Sequence, residues 1–104
     1  MEFIKSVQHW KDDKDYQVTH IEIMSTNGVA SCRLSLYSNE NVQILSNVYV
    51  NENYRTLGYC NQMLDYIAKN CNYRPYTLVY INNNWTNEYI KRIYEKRNYI
   101  ILTN

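Results

Sequence analysis

The chain has 104 residues, enough for one compact domain with a modest core, and we expect a single domain over residues 1–104. Its formal net charge is +1 and its Lys and Arg residues form no cluster, which argues against a protein that follows a nucleic-acid backbone. Glycine (2) and proline (1) are scarce and 45% of the residues are apolar, so the composition excludes disordered and fibrous proteins.

The first half of the chain predicts four strands. Residues 18–24 and 30–37 alternate apolar and polar side chains with period two, as half-buried strands do. Asn27-Gly28 between them is a strong signal for a tight hairpin turn. We predict strands over residues 2–9, 18–24, 30–37 and 42–50, with turns at 11–15 and 38–41.

The second half alternates helical and strand patterns. Apolar residues recur at helical spacing over residues 61–70 and again over 85–96, where Tyr89, Ile90, Ile93 and Tyr94 form one stripe. The nearly continuous apolar run at 76–81 predicts a strand in the middle of a sheet, and 99–102 predicts a last strand. Asn98 suits a left-handed residue that ends the second helix. This order of elements predicts an α+β domain.

Targeting and redox features favour the inside of a cell. The N-terminus lacks the apolar core and cleavage site of a secretory signal, and no run approaches the ~20 apolar residues that cross a bilayer. Cys32, Cys60 and Cys71 are odd in number and lack C-x-x-C spacing, which indicates free thiols in a reducing compartment. His9 and His20 do not pair with them at zinc-ligand spacing, so we expect no metal and a cytoplasmic location, in the host cytoplasm if the source is viral.

The run R-T-L-G-Y-C at residues 55–60 is the most informative part of the sequence. It lies between a predicted strand and a predicted helix, where unpaired backbone N–H groups and the helix dipole form a site for phosphate oxygens. Gly58 allows close approach of the backbone to a ligand. The run resembles the [Arg/Gln]-x-x-Gly-x-[Gly/Ala] loop of the GNAT superfamily of N-acetyltransferases, which holds the pyrophosphate of acetyl-coenzyme A, with Cys60 in place of the last small residue.

A second pattern, at residues 87–99, is also similar to this family. Many members carry Asn-x-x-Ala-x-x-Leu-Tyr-Glu-Lys-x-Gly-Phe, and the chain has N-E-Y-I-K-R-I-Y-E-K-R-N-Y at the same spacing. The resemblance covers roughly residues 18–102. It implies a GNAT-like fold, with a mixed, mostly antiparallel sheet and two main helices.

The resemblance also implies a site for acetyl-CoA, used as a co-substrate. The backbone at residues 47–50 would bond the pantetheine arm like an added strand. N–H groups at 57–60 would meet the pyrophosphate, Arg55 would add charge, and the Asn87 side chain would touch the cofactor. The implied cofactor-binding residues are Val48, Tyr49, Val50, Arg55, Thr56, Leu57, Gly58, Tyr59, Cys60 and Asn87.

Tyr94 falls where many family members place a tyrosine near the coenzyme A sulfur, so the resemblance implies that it is the catalytic acid for the departing thiolate. A phenol is protonated at neutral pH and can donate as charge develops on sulfur. Tyr94 also lies on the apolar stripe of its helix, where a tyrosine is commonly part of the core. Asn87 could equally be polar surface, and Cys60 the small residue that the loop tolerates.

The general base and the acceptor are not identified by the sequence. His20, Glu22 and Glu40 are candidate bases by residue type, although surface roles suit each of them, and residues 43–45 lack the acid that histone-type members carry. Family members usually have two helices between their first two strands, and about fifteen residues precede Val18, too few for them. The acceptor wall would then be open, supplied by a partner subunit in a homodimer, or lost.

Two functions follow from these patterns. The first is an enzyme that transfers acetyl from acetyl-CoA to a primary amine of a small molecule or peptide, with no nucleic-acid or membrane partner. The second is a catalytically degenerate GNAT-fold module for binding or interaction. A sheet that stacks single-stranded RNA on its tyrosines is a third interpretation, opposed by the absence of a basic patch and an RNP-like sequence.

Overall fold

The computed structural model describes residues 2–11, 17–37, 42–71, 77–81 and 88–103. Within those ranges the chain forms six strands, two helices and a short 3₁₀ turn, Glu52–Tyr54. The strands are β1 (Phe3–Lys11), β2 (Gln17–Ser25), β3 (Ala30–Tyr37), β4 (Val42–Val50), β5 (Thr77–Ile81) and β6 (Ile100–Thr103). The helices are α1 (Tyr59–Asn70) between β4 and β5, and α2 (Glu88–Glu95) between β5 and β6.

The six strands form one mixed sheet in which spatial order follows chain order, from β1 at one edge to β6 at the other. The pairs from β1 to β4 are antiparallel, while β4–β5 and β5–β6 are parallel. Parallel neighbours need a crossover connection, and α1 and α2 lie in these two connections. The predicted α+β fold, with a mixed, mostly antiparallel sheet and two main helices, is confirmed.

The core lies between one face of the sheet and the two helices. Antiparallel register places Ile21 opposite Leu34 and Ile23 opposite Cys32, so their alternate side chains share the covered face. The helices add to this core the residues Met63, Leu64, Ile67, Ile93 and Tyr94. Burial of each large apolar side chain stabilises the fold by about 1.5–3 kcal/mol, so this one-sided core holds both helices on the sheet.

Two basic side chains fix the helices at their ends. The Lys5 ammonium on β1 donates to the carbonyl of Asn70 at 2.7 Å, where the negative end of the α1 dipole favours a cation. The Arg97 guanidinium, just after α2, donates to Asp65 on α1 at 3.0 Å and to the carbonyl of Ile93 at 3.2 Å. Arg97 therefore ties the end of α2 to the side of α1.

Several local predictions are confirmed. Gly28 has a φ of +76° in the hairpin turn between β2 and β3, and its N–H donates to the carbonyl of Ser25 at 2.9 Å. Asn98 has a φ of 61° directly after α2, the left-handed conformation that the sequence predicts. β5 lies between β4 and β6, in the interior of the sheet.

The boundaries differ by one to two residues at most ends. β1 continues through Lys11, where we predict a turn, and β6 begins at Ile100 rather than at Tyr99. α1 begins at Tyr59, two residues earlier than predicted, so Tyr59 and Cys60 belong to its first turn rather than to a loop. The remainder of the first predicted turn, the turn at 38–41 and the start of the second helix at 85–87 lie outside the described residues.

Candidate functional site

The second half of β4 leaves the regular sheet. β4 and β5 pair over three residues of β4, from Gln43 to Leu45, and the described part of β5 has no pair with the rest of that strand. On its other side the register with β3 shifts, so that two residues, Asn47 and Val48, stand opposite the single residue Cys32. Asn47 takes a φ of 53°, as the extra residue of a β-bulge often does. The bulge therefore lies in the part of β4 that has no β5 partner in the described chain.

The loop after β4 is shaped by short-range contacts and two left-handed residues. The Asn51 side chain accepts from the N–H of Asn53 at 3.0 Å and caps the 3₁₀ turn that follows. Thr56 and Gly58 then have φ values of 70° and 83°. A left-handed threonine is uncommon, and such backbone strain is concentrated at functional sites.

The start of α1 presents backbone donors to the end of this loop. Gly58 is its N-cap, and no side chain caps the helix there. The N–H of Gln62 donates to the carbonyl of Gly58 at 3.1 Å and makes the first bond of the helical ladder. The N–H groups of Tyr59, Cys60 and Asn61 precede that bond and have no acceptor within the helix, which together with the dipole makes an anion site.

A cavity of about 500 Å³ lies between the end of β4, the loop, the start of α1 and one side of α2. Ligand pockets commonly have volumes of this size. In the described part of the chain, the lining residues are Val48, Tyr49, Val50, Tyr54, Arg55, Thr56, Gly58, Tyr59, Cys60, Asn61, Ile90 and Ile93. Its walls are therefore largely apolar, and its polar groups are concentrated at the helix start and Arg55.

Arg55 brings a positive charge to the cavity. Its Nε donates to the carbonyl of Val50 at 3.0 Å, which holds the side chain against the end of β4. A guanidinium held in this way presents its Nη groups as further donors, suited to phosphate oxygens. The cavity thus combines largely apolar walls with two independent sources of positive potential, the start of α1 and Arg55.

The structure brings together eight of the ten residues that the sequence predicts for cofactor binding. Those eight are Val48, Tyr49, Val50, Arg55, Thr56, Gly58, Tyr59 and Cys60. Leu57 does not line the cavity and its side chain is 60% exposed, so its contribution there would come from the backbone. Asn87 lies outside the described residues.

Tyr94, the predicted catalytic residue, lies behind the cavity wall. It is 1% exposed, it stacks on Tyr99 with ring centroids 5.9 Å apart, and it does not line the cavity. Its hydroxyl forms a hydrogen bond with the thiol of Cys60, which does line the cavity. Burial, followed by the nearby Cys60 thiol, raises the pKa of Tyr94 well above its ordinary value, so the phenol stays protonated at neutral pH.

The Cys60 thiol is also protonated at neutral pH. Burial raises its pKa, while the hydrogen bond from Tyr94 and the charge of Arg97 act in the opposite direction without reversing that effect. The helix start that lowers the pKa of some thiols is therefore outweighed here by burial.

Sequence reasoning missed four lining residues, Tyr54, Asn61, Ile90 and Ile93. Asn61 becomes predictable once the start of α1 is known, since it carries the third N–H of that helix. The two isoleucines belong to the predicted stripe of α2, and their place beside the cavity depends on the packing of α2 against α1. Tyr54 packs edge-on against Tyr59 with ring centroids 5.9 Å apart, a contact for which the sequence offers no signal.

The candidate bases lie away from this cavity or outside the described ranges. His20 bonds through Nδ1 with the Ser35 hydroxyl at 2.9 Å, and Glu22 pairs with Arg33; none of these four residues lines the cavity. Glu40 lies outside the described residues. Among the described residues, no group of three or more His, Cys, Asp or Glu is arranged to hold a metal ion.

The comparisons with known proteins add no assignment to this geometry. No family model, curated protein or solved structure matches the chain. No helix in the described part of the chain has the length and apolar character needed to cross a membrane.

Proposed function

We propose that the chain is an acetyl-CoA-dependent N-acetyltransferase of the GNAT superfamily, which transfers acetyl to a primary amine of a small molecule or peptide by direct attack. The cavity carries this proposal, because it joins the end of β4, the loop at Arg55 and the start of α1 in one trough. Its chemistry fits the co-substrate: apolar walls suit a pantetheine chain, while the N–H groups and Arg55 suit a pyrophosphate.

In this proposal the backbone does most of the binding. The end of β4 has no β5 partner in the described chain, so the main-chain groups of Val48, Tyr49 and Val50 bond the pantetheine amides as an added strand would. One of their N–H groups polarises the acetyl carbonyl. A Cβ added at Gly58 would have only Gln62 Nε2 within 4 Å, so the glycine leaves room for the phosphates beside the helix start.

Bound acetyl-CoA supplies the thioester, and the chain must supply a proton for the departing sulfur. Tyr94 is the proposed donor because the family resemblance places it there and a phenol is protonated at neutral pH, although burial raises its pKa and so makes it a weaker acid than a free phenol. Its hydroxyl bonds to Cys60, so direct donation into the cavity requires the Cys60 side chain to turn aside. Cys60 lines the cavity and is partly buried, so this movement of its side chain is a step that the proposal requires.

The acceptor site is not identified among the described residues, so the proposal includes an amine carried by a peptide as well as a small amine.

The test is a thiol-release assay with the purified chain, acetyl-CoA and a panel of small amines and peptides with free N-termini or lysines. The proposal expects release of coenzyme A at a rate that depends on one class of amine, with mass spectrometry showing that amine acetylated. Gly58→Ala is the matched variant, and Gly28→Ala, at a turn outside the cavity, is its control. An absence of amine-dependent release across the panel, with acetyl-CoA bound, would leave the enzymatic proposal without support.

The second function is a GNAT-fold module that binds acetyl-CoA or a partner without turnover. The placement of Tyr94 in the core favours it, because a buried phenol stabilises the fold whether or not it donates a proton. Acetyl-CoA binding without amine-dependent release would select this function.

A further inference from the structure

The outer edge of β1 is the longest unpaired strand edge in the described part of the sheet. β1 has nine residues, against four in β6 at the opposite edge, and β2 is the strand beside it. It contains no proline, and its register with β2 is continuous from Phe3 to Lys11, with no bulge. Proteins usually shorten, twist or cover such an edge, because its N–H and C=O groups pair readily with another strand.

The hydrogen-bonding direction along β1 can be read from its first residue. The N–H of Thr26 donates to the carbonyl of Glu2 at 3.0 Å, so the even-numbered residues bond toward β2. The odd-numbered residues then direct their N–H and C=O groups to the outer edge. These residues are Phe3, Lys5, Val7, His9 and Lys11.

The side chains of β1 are exposed on both faces of the sheet. All residues of the strand after Phe3 are exposed, including Ile4 at 52%, Val7 at 47% and Trp10 at 57%. Met24 on β2 lies directly beside Ile4, and Val18 lies beside Trp10. On one face of the sheet, an apolar pair therefore lies at each end of β1: Ile4 with Met24 and Trp10 with Val18.

A second copy of β1 fits this edge in one antiparallel register. With Val7 of each copy on a two-fold axis, all nine residues pair and Ile4 stands opposite Trp10 of the other copy. Each Ile4–Trp10 pair then joins Met24 of one copy and Val18 of the other in an apolar row across the seam. A shift of two residues one way places Lys5 opposite Lys11, and a shift the other way places Ile4 opposite Gln8, so charge and apolar pairing both select the Val7 register.

The number of hydrogen bonds across the seam supports a specific dimer. Five odd-numbered residues in each strand give five hydrogen-bonded pairs, which is about ten backbone hydrogen bonds in all. A typical protein interface has a similar number. Both free edges of the joined sheet would then be copies of β6, among the described strands. β6 is short and is therefore less prone to further pairing.

From this edge we infer that two copies of the chain pair through β1 in antiparallel orientation, with Val7 on the two-fold axis, and form one twelve-stranded sheet. This inference is independent of acetyl-CoA, since β1 contributes no residue to the cavity. The two-fold axis is perpendicular to the sheet, so it leaves the helix-covered faces of the two copies on the same side of the joined sheet.

Sedimentation equilibrium of the full chain tests the pairing. We expect the wild type to have twice the chain mass of 12.6 kDa at about 100 μM. Val7→Pro removes an N–H that points away from β2, so the fold should be kept and the dimer lost. Val7→Thr, which retains that N–H and a β-branched side chain, is the matched control and should remain dimeric.

Disulfide trapping tests the register independently of the proline variant. Ser6 stands opposite Gln8 of the other copy as a non-hydrogen-bonded pair, for which Cα atoms lie about 4.5 Å apart and a disulfide can form. Mild oxidation of S6C/Q8C should give a covalent dimer, whereas S6C alone and the wild type, with its three native thiols, should not. A monomeric wild type, a dimer that persists in folded Val7→Pro, or trapping by S6C alone would each overturn the inference.

Discussion

The Tyr94 hydroxyl and the Cys60 thiol form a hydrogen bond across the wall of the cavity between β4 and α1. Tyr94 contributes from the core side, where it is 1% exposed, while Cys60 faces the cavity. A thioester in the cavity would thus meet a thiol first and the phenol second. The observed role of Tyr94 in the core and its proposed role as a proton donor can therefore be measured separately.

Tyr94→Phe tests the proton donor directly. The ring and its stacking on Tyr99 remain, so the free energy of unfolding should fall by only about 1 kcal/mol, the usual value of one hydrogen bond. If the phenol is the acid, kcat should fall roughly 10²-fold or more while the Kd of acetyl-CoA stays within about twofold. Steady-state kinetics and calorimetry on the same preparation give both numbers.

Cys60→Ala is the control for that variant. It removes the partner of Tyr94 and opens a path from the phenol to the cavity, so kcat should be kept or rise. If Tyr94→Phe turns over at the wild-type rate, Tyr94 is a core residue and the acid lies elsewhere.

Gly58→Ala tests whether the loop before α1 binds the pyrophosphate. An added Cβ would have no neighbour closer than Gln62 Nε2 at 3.9 Å, so its effect comes from the φ of +83° rather than from a clash. A left-handed alanine costs roughly 1–2 kcal/mol, which should lower Tm by several degrees and displace the N–H groups of α1. We expect the Kd of acetyl-CoA to rise at least roughly tenfold.

Gly28→Ala is a closely matched comparison for this change. Gly28 also has a left-handed φ, +76°, and an added Cβ there would have no heavy atom within 4 Å. It should lose similar stability without any change in the Kd of acetyl-CoA. Equal losses of affinity in the two variants would show that the effect is general destabilisation rather than a role of the loop.

Arg55→Ala tests whether positive charge binds the pyrophosphate. A charge-assisted hydrogen bond contributes about 1.5–3 kcal/mol, so acetyl-CoA should bind roughly ten to one hundred times more weakly. Acetyl-pantetheine lacks the pyrophosphate, and its affinity should be unchanged. Arg33→Ala, which removes the partner of Glu22 outside the cavity, should affect neither ligand. A parallel loss of both ligands in Arg55→Ala would contradict a phosphate contact.

Stability should fall in alkaline solution. Burial raises the pKa of Cys32 and of Tyr94 above their ordinary values of 9.0 and 10.0. Above pH 9 the unfolded chain loses these protons while the folded chain keeps them, so deprotonation favours unfolding. Each group lowers the free energy of unfolding by about 1.4 kcal/mol per pH unit once its unfolded form titrates.

Urea unfolding at pH 8, 9, 10 and 11 measures this dependence. Cys32→Ala should be less stable than the wild type at pH 8, because Cys32 is buried, but its stability should decline less steeply with pH. A free energy of unfolding that stays constant to pH 11 would show that the two groups are not buried in their neutral forms.

Much of the fold follows from local patterns. Alternation predicts β2 and β3 within a residue or two, and Asn27-Gly28 predicts the hairpin between them because glycine readily takes a positive φ. Asn98 at the end of α2 is predicted by a similar argument, because asparagine takes a positive φ more readily than other residues with a side chain. The start of α1 is predicted two residues late, because the run from Arg55 to Cys60 is assigned to the loop as a whole, whereas Tyr59 and Cys60 form the first turn of the helix.

The candidate site is predictable where it is contiguous in sequence and not where it depends on packing. The loop from Arg55 to Cys60 is one segment, and the sequence predicts that its residues lie together. The bulge at Asn47 has no such signal, since it is a feature of the pairing between β4 and β3, which no local sequence pattern specifies. The burial of Tyr94 behind Cys60 likewise depends on how α2 packs on α1, so spacing alone could not separate a catalytic tyrosine from a core one.

Calorimetric titration of the folded chain with acetyl-CoA, and with desulfo-coenzyme A as a second ligand, decides whether the cavity is a coenzyme site. We expect one site per chain for both ligands, because the loop, Arg55 and the start of α1 would bind the part that they share. Absence of binding to either ligand at millimolar concentration, with the fold verified by circular dichroism, would contradict the assignment of this cavity to acetyl-CoA.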